Sequence, residues 1–136
     1  MTMKYSILSL TLLLMLGSCS PKLSPDSDWN DRKWVLHEIN GVPVQLSGSN
    51  KDAHLNFIPR DKRYNGSGGC NRISGSYDIR SNDRISFSEP TGTRMTCNDQ
   101  AFEDNFFAML KRVDRFTIEN DMMLLKDGNR VLLLFK

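Results

Sequence analysis

The chain has 136 residues, with 18 Lys and Arg against 16 Asp and Glu, a formal charge of +2, and 39% apolar residues. That length holds one globular domain with a single core, and the near-neutral charge removes a strong electrostatic case for nucleic acid. With 25% charged residues, nine Gly and five Pro, the composition is neither collagen-like nor that of a wholly disordered chain.

Lys4 precedes an apolar run from Ile7 to Leu16, the charged start and short hydrophobic stretch of an export signal. At about 1.5 Å per residue the run covers roughly 15 Å, half of the ~30 Å hydrocarbon layer, which argues against a spanning helix. It ends in Leu16-Gly17-Ser18-Cys19. This string resembles the bacterial lipobox, and the resemblance implies cleavage after Ser18 and a diacylglycerol on Cys19. The alternative is an ordinary secretory signal that leaves a free Cys. Acyl chains contribute about 0.8 kcal/mol per buried methylene, enough to hold the protein on a membrane without a spanning segment. The expected division is a signal over 1–18, a tether over 19–28 and a domain over 29–136. Pro21 and Pro25 and the lack of apolar periodicity make the tether extended. Ser20 is not acidic, which favours the outer over the inner membrane.

From Trp29 onward the pattern predicts short strands. Lys33 to Ile39 places Trp34, Leu36 and Ile39 inward, Asn40-Gly41 turns, and Val42 to Leu46 returns, with Pro43 marking an edge. Ala53 to Ile58 alternates cleanly. Tyr64 to Asn71 and Ile73 to Ile79 bracket a Gly-rich corner, and Arg84 to Ser88 continues the meander. Thr96-Cys97-Asn98-Asp99 has the form of a capping box. The helix expected near 98–113 carries the stripe Phe102, Phe106, Met109, Leu110 and Val113, buried on a sheet, with Lys111 and Arg112 at the negative end of its dipole. Arg115 to Ile118, Met122 to Lys126 and Arg130 to Phe135 return to strands. The unbroken Leu132-Leu133-Leu134 predicts a strand covered on both faces or one curling into a barrel interior. The count is about eight strands and one helix near residues 98–113, in a single domain.

The order Trp34-x-Leu36, Asn40-Gly41, Phe57, Gly68-Gly69-Cys70-Asn71, Gly75-x-Tyr77, Thr93-Arg94-Met95-Thr96-Cys97, then a helix with Glu103 and Phe106, resembles the META domain of the HslJ-like family. The resemblance covers residues 33 to 136 and rests most on the G-G-C-N and T-R-M-x-C strings. It implies the fold class: a compact α+β domain in which a curved antiparallel sheet of about eight strands, with a partly closed barrel as one form, packs on and embraces one helix. Thr96 departs from the more usual Ala and supplies a hydroxyl. Relatives include a heat-inducible (heat-shock) protein linked to novobiocin resistance, and envelope lipoproteins. The resemblance names no catalytic residue.

With Cys19 assigned to lipid, Cys70 and Cys97 form an even pair in an exported domain, first read as a disulfide. It would close a loop of about 28 residues, worth roughly 3–4 kcal/mol on the loop-entropy account. Alternatives are two small buried thiols, a zinc site with His37 and His54 that lacks ligand spacing, or a Cys–His dyad that needs a free thiol. Gly66-Ser67-Gly68-Gly69 lacks the Lys-Ser/Thr of a phosphate loop and reads as a bulged corner. The candidate ligand or partner surface is Asn71, Arg72, Thr93, Arg94 and Met95. Against it stand plainer roles: Asn71 shaping its own turn, and Arg94 capping carbonyls or pairing with Glu103. His37 and His54 are expected on exposed strand faces. The aromatic residues are expected in the core rather than on a stacking platform.

No carboxylate pair, triad, metal cluster or cofactor motif stands out. The reading is a membrane-anchored envelope lipoprotein with a non-enzymatic binding or interaction domain, supporting stress or novobiocin-type tolerance. The expected partners are the membrane, through Cys19, and an envelope protein or a hydrophobic ligand, with no nucleic acid and a monomeric state. Two rivals remain: a carrier of a lipid in a cavity between sheet and helix, and a thiol-dependent redox protein.

Overall fold

The structure is a computed structural model that describes residues 28–136. The expected signal over 1–18 and the tether with Cys19 lie outside the described residues, apart from Asp28. Ten strands and one helix follow in order: β1 (Trp34–Ile39), β2 (Val42–Pro43), β3 (His54–Ile58), β4 (Arg63–Ser67), β5 (Arg72–Ser81), β6 (Arg84–Phe87), β7 (Thr91–Gly92), α1 (Gln100–Arg112), β8 (Arg115–Glu119), β9 (Met122–Asp127) and β10 (Arg130–Phe135). Eight of them pair antiparallel in the ring β1-β3-β4-β5-β6-β8-β9-β10, and β10 pairs back with β1. Closure removes the edges that an open sheet would leave unpaired. The sheet is thus a closed barrel, with β2 added on β1 and β7 on β5.

Two bulges explain where strict alternation fails. The β1–β10 register shifts between Leu36 and Glu38, so the inward positions run Trp34, Leu36 and then Ile39, all buried. The β9–β10 register shifts between Val131 and Leu133. Two residues there oppose one, which turns Leu132 and Leu133 to the same side, and both are fully buried in the core. The leucine run is therefore a bulge into the barrel.

Asn40 and Gly41 have φ of 51° and 76°, the paired positive values of a two-residue hairpin. The returning strand ends after Pro43, short of the Leu46 expected, because Pro43 has no N–H for the ladder. A 3₁₀ turn over Asp28–Asp31 seats Trp29, a core residue outside the expected set, 5.0 Å from Phe57 and 6.0 Å from Phe116 between ring centroids. The Trp34 indole donates to the Trp29 carbonyl at 2.8 Å.

Helix α1 begins later than the capping string implies. Asp99, not Thr96, is the N-cap, its carboxylate accepting from the Phe102 N–H at 3.1 Å. The apolar face of α1 packs on the sheet as expected, against β6, β9 and β10. The helix crosses one mouth of the barrel: Asn40 donates to the Met109 sulfur, Arg112 pairs with Asp127 at 2.8 Å, and the Phe106 ring lies 6.2 Å from Phe135. Phe106, Leu110 and Val113 are buried, with Phe102 and Met109 half-buried beside them. The space a lipid would need between helix and sheet holds Phe106, Leu110, Phe135, Leu132 and Leu133, none of them exposed.

Tyr64 and Gly75 face each other across β4 and β5. Burial pushes the Tyr64 phenol up to about 12, and its hydroxyl donates to the Ser88 carbonyl at 3.1 Å. A Cβ on Gly75 would lie 2.5 Å from the Tyr64 ring. Gly75→Ala is expected to destabilise the domain by about 1–3 kcal/mol, read by urea unfolding, and a cost under about 0.5 kcal/mol would show that the ring moves aside freely.

Candidate functional site

The corner between β4 and β5, the segment before α1 and the first turn of α1 meet at one mouth of the barrel. Cys70 and Cys97 are disulfide-bonded there, with Cα atoms 6.0 Å apart and a sequence separation of 27. The bridge uses both sulfurs that a zinc site or a nucleophilic thiol would need. Gly68 and Gly69 permit the approach: a Cβ on Gly68 would sit 2.5 Å from the Glu103 carboxylate, and one on Gly69, at φ 107°, 2.9 Å from the Phe102 ring.

Asn71 and Glu103 are buried at this junction, 4% and 2% exposed. The Glu103 carboxylate accepts from the Asn71 side-chain amide at 2.6 Å and from the backbone N–H groups of Asn71 and Cys70 at 2.8 and 3.3 Å. The Asn71 amide also points its second N–H at the Cys97 sulfur, 3.4 Å away. Its oxygen accepts from the Thr93 hydroxyl at 3.0 Å and the Met95 N–H at 2.7 Å. A primary amide has two donors and two lone pairs, so Asn71 is saturated. Asn71 therefore leaves the candidate surface and becomes its clamp. Thr93 belongs half to that clamp, its hydroxyl also accepting from the Arg72 N–H at 3.1 Å.

Arg94 does not pair with Glu103, and its side chain bonds to no described residue. The physical reason is that the three donors above already occupy the Glu103 oxygens. Glu103 was legible in principle. It stands three and seven positions before Phe106 and Leu110, on the same helical face, and an acid inside a buried stripe demands partners.

Arg72, Arg94 and Met95 remain exposed. Met95, at 55%, and Val42, at 65%, are two of the three exposed large hydrophobic residues among those described. Both line a groove of about 820 Å³ between residues 42–46 and 95–99, with the disulfide, Ala53 and Phe102 also lining it. The walls carry unspent backbone: the N–H groups of Gln45, Leu46, Thr96 and Asn98 bond to no described residue.

His37 and His54 are half-buried rather than exposed. Burial is the main cause that lowers the His54 pKa below its usual value, opposed by the Asp52 carbonyl 2.8 Å from Nδ1. The fold thus favours neutral imidazole. Stability should be full above pH ~6.5 and fall as pH drops through the lowered folded value. Thermal melts between pH 7.5 and 5 check this. His54→Gln should flatten part of the slope, and an unchanged slope would assign it to other groups.

The geometry defines a class: an antiparallel barrel stoppered by one helix, with a bridged and clamped corner at its mouth. The chain belongs to the META domain family, whose model matches residues 27–136, a family of generally non-catalytic, envelope-associated domains. A protein from Burkholderia xenovorans solved by NMR is similar in fold, with 25% identity, a TM-score of 0.60, and coverage of 79% of this chain and 81% of that one. A second NMR structure is 24% identical, with a TM-score of 0.59 and coverage of 79% and 89%. No curated protein matches the chain.

Proposed function

We propose that this chain is an exported lipoprotein, anchored through lipid on Cys19, more often in the outer than the inner membrane. Its barrel is a non-enzymatic module that holds an extended apolar segment of an envelope protein in the groove beside the disulfide. The observation that carries this reading is that Val42 and Met95 stay exposed on the rim of one groove whose two walls offer unspent N–H groups. An extended peptide satisfies such donors while its alternate side chains bury against the apolar floor. No described helix is long and apolar enough to cross a membrane; the anchor is argued from the Leu16-Gly17-Ser18-Cys19 string. A part in envelope stress and novobiocin-type tolerance follows from the family resemblance.

The test places a photocrosslinker at Gln45 in the native host. One defined envelope protein should be captured, and the Met95→Glu and Val42→Glu variants should lose it while keeping the parent Tm. Capture that survives both variants, or that yields no defined product, overturns the groove as the partner surface. Cys19→Ser should release the protein from membranes, and retention would overturn the anchor.

A further inference from the structure

Around the corner from that groove, the outer face of β3, β4, β5 and β7 is dished into a second hollow of about 860 Å³, within the roughly 300–1,000 Å³ of small-ligand sites. The barrel wall is convex elsewhere by closure, and here short residues thin it. Gly66 and Gly92 line the hollow, and a Cβ on either would strike the carbonyl oxygen of His54 or Arg72 on the neighbouring strand. The ladder sets Asn56 opposite Asn65, Asn65 opposite Ser74 and Ser74 opposite Thr91. These four side chains form a row across four strands, spaced about 4.8 Å apart. Within the row Asn56 donates to Asn65 at 3.1 Å, which leaves the outer amide groups for a ligand.

The charge on this face has one sign. Lys51 and Arg72 line the hollow and no Asp or Glu does, and Lys33 stands at its edge, bonded to Asn50 at 3.3 Å. In a chain of formal charge +2, whose other cations include several paired with acids, that separation is specific. No Phe, Tyr or Trp lines it, so it has no platform for stacking bases. Apart from the buried Ile73 and the edge Met95 it offers no large apolar side chain, which disfavours a lipid tail or an apolar peptide. Amides and hydroxyls in a row match a string of sugar hydroxyls, and the two cations beside the row, Arg72 two residues before Ser74 on β5 and Lys51 next to Ser67 at the end of β4, match an acid group.

We propose that this hollow binds an anionic oligosaccharide, with its acid group on Arg72 and Lys51 and its hydroxyls along Asn56, Asn65, Ser74 and Thr91. The site adjoins the peptide groove, sharing Lys51, Cys70 and Met95 with it, but its row of amides and hydroxyls lies outside that groove, so the proposal stands whether or not the peptide reading does.

Calorimetric titration of the full-length protein in detergent micelles uses tetragalacturonate as the probe. Saturable binding that weakens with added salt is expected. Arg72→Gln should weaken it by roughly tenfold or more, the loss of one charge-assisted hydrogen bond, and Asn65→Ala by a smaller factor. Both side chains are exposed, so both variants should keep the parent Tm. Neutral maltotetraose should bind at least tenfold more weakly, and Val42→Glu should leave the titration unchanged. Absence of saturable binding at low salt overturns the proposal, as does binding indifferent to Arg72→Gln. Tripolyphosphate binding as tightly as the sugar acid, with no loss in Asn65→Ala, marks a bare anion site and overturns it too.

Discussion

Glu103→Gln should destabilise the domain by about 2–4 kcal/mol, although it removes no packing volume. Every neighbour of the Glu103 oxygens is a donor: the Asn71 amide and the N–H groups of Cys70 and Asn71. A Gln must turn its own NH2 toward one of them. The better choice keeps its oxygen on the two backbone groups and sets NH2 against the NH2 of Asn71. Asn71 cannot flip in response, because its oxygen is held by Thr93 and by the fixed Met95 N–H. The network therefore has one allowed sense, and a buried donor-to-donor contact has no escape. Combining Glu103→Gln with Asn71→Asp restores donor against acceptor and keeps one carboxylate in the pocket, so the pair should recover most of the loss. Urea unfolding of the four species decides it. A single-variant cost under about 1 kcal/mol, or no recovery in the pair, would show that the junction relaxes and is not a clamp.

Opening the Cys70–Cys97 bridge should have an effect of similar size through the other state of the chain. A crosslink spanning 27 residues removes unfolded-state freedom worth roughly 3–4 kcal/mol, a large share of a typical 5–15. For a domain of this length that corresponds to a fall in Tm of roughly 15–20 °C. Cys97→Ala with Cys70→Ala is the cleaner measurement, since it leaves no reactive thiol. The two perturbations share Asn71, which touches both Glu103 and the Cys97 sulfur. Their combination should cost less than the sum, because once the bridge is gone the corner is already loose. A Tm that moves by less than about 3 °C would mean that the Asn71 clamp alone positions the corner.

The strands were legible where burial and period agree. Ala53, Leu55 and Phe57 alternate without a bulge, and β3 runs as read; Asn40-Gly41 announces its hairpin because few residues accept positive φ twice. Thr96 and Asp99 both carry a capping oxygen, and it is the Asp99 carboxylate that reaches an N–H of the first turn. Trp29 carries no periodic signal because it sits in a 3₁₀ turn, and its burial comes from Phe57 and Phe116, distant in sequence. Met95 and Arg72 were reached by sequence strings, while Val42 and the Asn56–Asn65–Ser74–Thr91 row appear only when strands are laid side by side.

By itself the sequence determined local matters: which residues point together along a strand or helix, where the chain turns, and that Cys70 and Cys97 make an even pair. These depend on φ/ψ preferences and periodicity over a few residues. Tertiary structure alone decided that β10 closes on β1, that bulges shift the parity after Leu36 and Val131, and that Glu103 answers to Asn71 rather than Arg94. Each of those choices is a pairing between segments tens of residues apart. Its free energy comes from burying both partners at once, so neither partner's sequence contains it.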